Sequence, residues 1–103
     1  MHSDVKASVQ LTGDGRVQGY VGGSATNLEQ IRIKSIQAQS SAADAEIKIY
    51  DATSASGDIL IHLKWGTAAN EGIEYLFPGN GVKFNTCAYV DVTNCDSVIA
   101  YYC

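Results

Sequence analysis

The chain is short of the residues that build most active sites. It has two histidines, His2 and His62, one tryptophan, one methionine and one proline in 103 residues. A nucleophile, a base and an orienting group are hard to assemble from so few imidazoles. His62 lies between Leu60 and Lys64 on the less apolar side of its segment, and reads as a surface strand residue. Basic residues are also scarce. Seven Lys and Arg stand against eleven Asp and Glu, giving a net charge of −4. A nucleic-acid module needs a basic face to neutralise phosphates, and a membrane-surface module needs a cationic one, so both classes are excluded. No apolar run approaches the ~20 residues of a membrane-spanning helix. The first residues, Met1-His2-Ser3-Asp4-Val5-Lys6, lack the apolar stretch of a signal peptide, which points to synthesis in the cytoplasm without processing. Cysteine is limited to Cys87, Cys95 and Cys103. An odd number at this spacing fits neither a disulfide framework nor a zinc site. The thiols read as small apolar fillers. If residues 88–92 and 97–102 form a hairpin, Cys87 and Cys103 become the closest pair for a disulfide.

What the chain does have is alternation. Ile31 and Ile33 alternate with Arg32 and Lys34, and Ile36 and Ala38 continue on the opposite phase. That change near Ser35 predicts a bulge or a strand buried on both faces. Ile47 and Ile49, then Ile61, Leu63 and Trp65, then Ile73, Tyr75 and Phe77, then Val82 and Phe84 repeat the period of two. So do Ala88, Val90 and Val92, and finally Val98, Ala100 and Tyr102. Pro78-Gly79-Asn80-Gly81 is the strongest turn, because Pro presets φ while Gly and Asn accept positive φ. No stretch of ten residues has helical periodicity. The expected fold is all-β: an antiparallel β-sandwich, jelly-roll-like or immunoglobulin-like, over residues 31–103.

Residues 1–30 read differently, as an N-terminal arm or hairpin. Val5 to Leu11 and Arg16 to Val21 alternate weakly on either side of Asp14-Gly15, a hairpin signal. Gly22-Gly23-Ser24 ends the second run. The register of so Gly-rich a segment is weakly specified, and such segments find their order against a neighbour.

The acids that could form a glycosidase pair, Glu71, Glu74, Asp91 and Asp96, fall in loops or on solvent faces and read as solubilising. Neither Asp14-Gly15 nor the Pro78 turn has the ligand density of a calcium loop or the length of a phosphate loop. No catalytic, metal or cofactor residue is assigned, and the chain reads as a non-enzyme. Trp65 is in phase with Ile61 and Leu63, which places it in the core or at a sheet end. A sugar platform is its alternative role. Tyr89 and Tyr101 face outward if Val90 and Ala100 face inward, and exposed tyrosines suit a protein contact.

The order of segments resembles a known class. Ile31 to Ile36, the short strand with Ile47 and Ile49, and Gly57-Asp58-Ile59-Leu60-Ile61-His62-Leu63 come first. Ile73 to Phe77, Pro78-Gly79-Asn80-Gly81-Val82-Lys83-Phe84, and Ala88 to Tyr102 with its Thr93-Asn94 and Ser97-Val98 follow. This succession resembles small virion-associated proteins of tailed bacteriophages, of the cyanophage and marine podovirus type. The three cysteines and the first 30 residues depart from that pattern. The resemblance implies a structural protein of the virion: a capsid decoration (cement) protein binding the major capsid protein, or a tail accessory protein. It also implies a homo-oligomer, with a trimer favoured, and no cofactor. On that reading Val5, Val9, Leu11, Val17, Tyr20 and Val21 are the arm contacts, and Trp65, Tyr89 and Tyr101 the sheet-side contacts. The alternative is a receptor- or carbohydrate-binding β-sandwich module.

Overall fold

The computed structural model describes residues 5–103. Residues 1–4, with His2 and the start of the expected arm, lie outside them. Every regular element among the described residues is a strand, and no helix is long and apolar enough to cross a membrane. The strands are β1 (Lys6–Ala7), β2 (Gly15–Arg16), β3 (Gln18–Val21), β4 (Ser24–Asn27), β5 (Ile31–Ser40), β6 (Ala45–Asp51), β7 (Ile59–Trp65), β8 (Gly72–Leu76), β9 (Val82–Phe84), β10 (Ala88–Thr93) and β11 (Cys95–Tyr102). The fold is all-β and sandwich-like.

One sheet has the order β1-β11-β5-β8, with β9 also paired to β5; the other has the order β2-β10-β6-β7; and β3 pairs only with β4. All pairings are antiparallel. The inward residues are those the alternation picks out. Ile33, Ile36 and Ala38 from β5 and Val98, Ala100 and Tyr102 from β11 meet Ile47, Ile49, Ile61, Ala88 and Val90 from the opposite sheet, with Phe84 between them. A fully buried Ile or Val contributes about 1.5–3 kcal/mol by leaving water, and these side chains are the main hold on the two layers.

The phase change near Ser35 is a β-bulge. Tyr101 pairs with Ser35 but Tyr102 pairs with Ile33, so Lys34 is the extra residue. The bulge lets Ile31 and Ile33 face the core together with Ile36 and Ala38. At the same place the free edge of β5 changes partner, from β8 at Ser35–Gln39 to β9 at Ile31–Ile33. The Pro78 turn covers the changeover. Phe77 N–H donates to Lys34 O at 3.0 Å and Lys34 Nζ donates to Gly79 O at 3.2 Å. Gly79 and Gly81 have φ of 64° and 80°, whereas Asn80 keeps negative φ.

Two expectations are corrected. Residues 88–93 and 95–102 are consecutive strands but not a hairpin: β10 and β11 lie in different sheets. The chain turns a corner at Asn94, whose φ is 55°. Beside it, β5 passes to β6 through Asp44, at φ 58°. The two corners are tied by Ser41 N–H to Asn94 O at 2.8 Å and Asn94 Nδ2 to Ala43 O at 2.9 Å. The paired strands therefore form one ribbon that folds over from the first sheet into the second. With no hairpin there, Cys87 and Cys103 are not brought together, and all three cysteines are free thiols.

The second correction concerns residues 5–17. Apart from one backbone hydrogen bond, from Val9 N–H to Gln18 O, they do not pair with residues 16–21 about Asp14-Gly15. β1 extends the first sheet beside β11, Leu11 bridges to Val98, and β2 extends the second sheet beside β10. Ser8 is buried, and its Oγ accepts Ala100 N–H at 2.9 Å. Asp14 Oδ1 accepts Val92 N–H at 2.8 Å, holding the crossing between the sheets.

Candidate functional site: a projecting hairpin

Strands β3 and β4, within residues 18–27, join neither of the two larger sheets. Gly22 and Gly23, with φ of 60° and 85°, form the two-residue turn between β3 and β4. Positive φ at both central positions is the condition for a tight turn whose twist matches the strands. The register is Gln18–Asn27, Gly19–Thr26, Tyr20–Ala25 and Val21–Ser24. Gln18 Nε2 donates to Asn27 Oδ1 at 2.8 Å across the base of the pair.

The base is anchored. Leu28 N–H donates to Val17 O at 3.1 Å, Arg16 Nη2 donates to Leu28 O at 3.1 Å, and Val9 N–H donates to Gln18 O at 2.8 Å. Val17 is fully buried and Leu28 packs on the core. Gly19 lies against the Tyr102 hydroxyl and leaves no room for a side chain. Beyond this base the hairpin is bare. Tyr20 is 64% exposed, Val21 60%, and every residue of β4 is exposed. Ala25 and Ser24, opposite them, are too small to cover them. A two-stranded hairpin is marginal by itself, and its unpaired N–H and C=O groups are ready to pair with another chain.

The sequence-derived contact residues divide accordingly. Tyr20 and Val21 stand together on the hairpin, and Val5 is exposed beside β1. Val9 is half-buried and Leu11 packs against the core. Val17 belongs to the core and is closed to a partner. Tyr101 and Tyr89 both face outward but on opposite sheets, so no one flat partner meets both. Trp65 is half-buried against the core, and its indole N–H donates to Glu71 O at 3.1 Å, which ties the ring to the β7–β8 loop.

No family model, curated protein or solved structure matches this chain.

The remaining polar groups make local ties. On the outer face of the second sheet, His62 Nε2 meets Glu46 Oε2 at 2.5 Å and Lys64 Nζ approaches the same oxygen at 3.7 Å. The hydrogen bond from His62 is the main reason the Glu46 carboxyl is held below its ordinary range, with Lys48 and Lys64 assisting. Glu71 is lowered by Thr67, whose N–H and Oγ1–H both donate to its carboxylate. Burial pushes the Cys95 thiol up, the opposite of what a reactive thiolate requires. The four acids weighed for glycoside chemistry are dispersed: Glu71 is in the β7–β8 loop, Glu74 and Asp96 are on the first sheet and Asp91 on the second. Among the described residues no three His, Cys, Asp or Glu side chains are grouped to hold a metal ion.

Proposed function

We propose that this chain is a non-enzymatic structural protein of a bacteriophage virion, most simply a capsid decoration protein that binds and stabilises the shell of the major capsid protein. The observation that carries the reading is the hairpin 18–27: anchored at its base, unpaired along its length, and bearing exposed Tyr20 and Val21. Strand addition along a free edge supplies main-chain hydrogen bonds, and an aromatic with a β-branched neighbour supplies apolar contact. The all-β body and the acidic charge suit a module that coats a surface rather than one that grips nucleic acid. On this reading the protein acts as a homo-oligomer, with a trimer the favoured form, and a tail subunit is the alternative partner.

The test is a Tyr20→Asp/Val21→Asp double variant. Both side chains are solvent-exposed, so the variant folds with an unchanged melting temperature. Virions assembled with it should lose the protein from purified particles, and electron microscopy of wild-type particles should place it on the shell. Normal incorporation of the folded variant overturns the hairpin as the attachment site. Density on the tail replaces the shell reading with the tail one.

A further inference from the structure

The outer face of the first sheet carries a second feature, remote in kind from the hairpin. Between β8, β5 and β11 lies an open groove of about 530 Å³. That volume falls within the ~300–1,000 Å³ usual for small-ligand sites. Its floor is a grid set by the register. One row runs Glu74–Gln37–Ile99 and the next Gly72–Gln39–Ser97. Rows on one face of a strand are about 6.8 Å apart and neighbouring strands about 4.8 Å. Gln10, from the β1–β2 connection, closes one side. The hollow exists because Gly72 has no side chain where each neighbouring strand does.

The chemistry of the lining is specific. It offers three carboxamides, a hydroxyl and a carboxylate beside an apolar lining of Ile99, Ile73 and Ala38. Tyr101 Oη–H donates to Gln37 Oε1 at 2.9 Å, which fixes that amide and leaves its Nε2 hydrogens to donate. Gln39 Nε2 reaches Asn70 Oδ1 at 3.4 Å, which leaves Gln39 Oε1 as an acceptor. Glu74 accepts only. Donors and acceptors alternating at a few ångströms match the vicinal hydroxyls of a pyranose, each of which donates and accepts. The groove contains no basic side chain, contains Glu74, and belongs to an acidic protein, which disfavours an anionic ligand. We infer that this groove binds a neutral saccharide, with Gln37, Gln39 and Glu74 as the hydroxyl-reading residues.

The occluding variant is Gly72→Leu. A Cβ at residue 72 meets nothing nearer than Ala38 O, at 3.7 Å, so a side chain enters the groove without disturbing the backbone. Glu74→Ala removes the carboxylate acceptor, and a circular dichroism spectrum checks each variant's fold. The full chain, labelled with ¹⁵N, is titrated by NMR with maltohexaose, mannohexaose, xylohexaose, galactohexaose and chitohexaose, and with tri-galacturonate as the charged control. At least one neutral oligosaccharide should saturably shift the side-chain amides of Gln10, Gln37 and Gln39 below about 10 mM, a weak but specific range. Glu74→Ala should weaken it at least about tenfold, the scale of one lost charged hydrogen bond, and Gly72→Leu should abolish it. The Tyr20→Asp/Val21→Asp variant should bind as the wild type does, which separates this site from the hairpin. Absence of saturable shifts for all five neutral sugars overturns the inference, as does binding that survives Glu74→Ala and Gly72→Leu at full strength. If Gly72→Leu does not fold, Glu74→Ala alone decides.

Discussion

The Tyr102 hydroxyl lies so close to the Cα of Gly19 that a methyl group on residue 19 would overlap it. This contact joins the last strand of the first sheet to the base of the projecting hairpin. Leu28 crowds the same point, with both Cδ atoms at 3.1 and 3.2 Å from a Cβ placed there. Gly19→Ala should therefore destabilise the fold by about 1–3 kcal/mol, the usual cost of overpacking. Tyr102→Phe removes the overlapping oxygen. Denaturant titrations of the two single variants and the double variant should show coupling: Gly19→Ala costs less with Phe at 102 than with Tyr. Strict additivity would mean that the hairpin base moves away and the contact does not set its position.

Gly81 and Gly79 share the Pro78 turn and both have positive φ, but they differ in space. A Cβ on Gly81 would overlap Ile33 O, at the bulge, whereas one on Gly79 meets nothing within 4 Å. Gly79→Ala should cost about 1–2 kcal/mol for the left-handed backbone alone. Gly81→Ala should cost about 2–4 kcal/mol, since the steric displacement of β5 is added. Equal losses in chemical denaturation would show that the turn does not bear on the bulge.

Ser40 is a buried hub. Its N–H donates to Glu71 O and its O accepts Asn70 N–H, both at 2.8 Å; its Oγ accepts Glu71 N–H at 3.0 Å and donates to Ala68 O at 2.8 Å. Ser40→Ala leaves Glu71 N–H and Ala68 O without the hydroxyl, a loss of about 1–3 kcal/mol. Because Trp65 donates to Glu71 O, the loosened loop should also release the indole. Trp fluorescence, from a single tryptophan, should shift to longer wavelength at temperatures where the variant is still folded. An unchanged emission maximum would place the loop's order elsewhere.

Glu46 and Glu71 both titrate below the ordinary value of 4.5 in the folded chain. Their ionised forms favour the fold, so the contribution is complete above the unfolded value and is lost as pH falls through the lowered folded values. Melting temperatures should hold near neutrality and drop on the acid side of about pH 4.5. In a Glu46→Gln/Glu71→Gln variant the neutral melting temperature should be lower and the acid slope shallower. Parallel curves for the two proteins would assign the acid sensitivity to other carboxylates.

Much of the body was readable from the sequence because one face of each strand is buried. The run from Ile31 to Ala38 even shows its bulge, since Ile33 and Ile36 can share a face only if a residue is inserted. The hairpin was harder. Ser24–Asn27 is polar on both faces, so no alternation marks β4, and Gly22-Gly23 was the one signal of a turn joining two strands rather than ending one. Val17 reads as an arm residue because it falls in the weakly alternating run from Arg16 to Val21, yet its side chain is buried in the core. Asn94 reads equally well as a hairpin turn or a corner. Only its tie to Ser41, 53 positions earlier in sequence (94 − 41), distinguishes the two. The groove was hidden for a similar reason: Gln37 and Gln39 alternate visibly, but the vacancy at Gly72 has meaning only once β8 is set in register beside them.

The placement of β11 between β1 and β5 has a bearing on synthesis. Among the described strands this inner strand comes last in chain order, so it leaves the ribosome after both of its partners. Until residues 95–102 are available, β5 has its long neighbour missing, and β1 has nothing to pair with. Early segments can form the β6–β7 hairpin, but the two layers close only after β11 arrives. A product cut before Cys95 should behave as an unfolded chain rather than as a smaller sandwich.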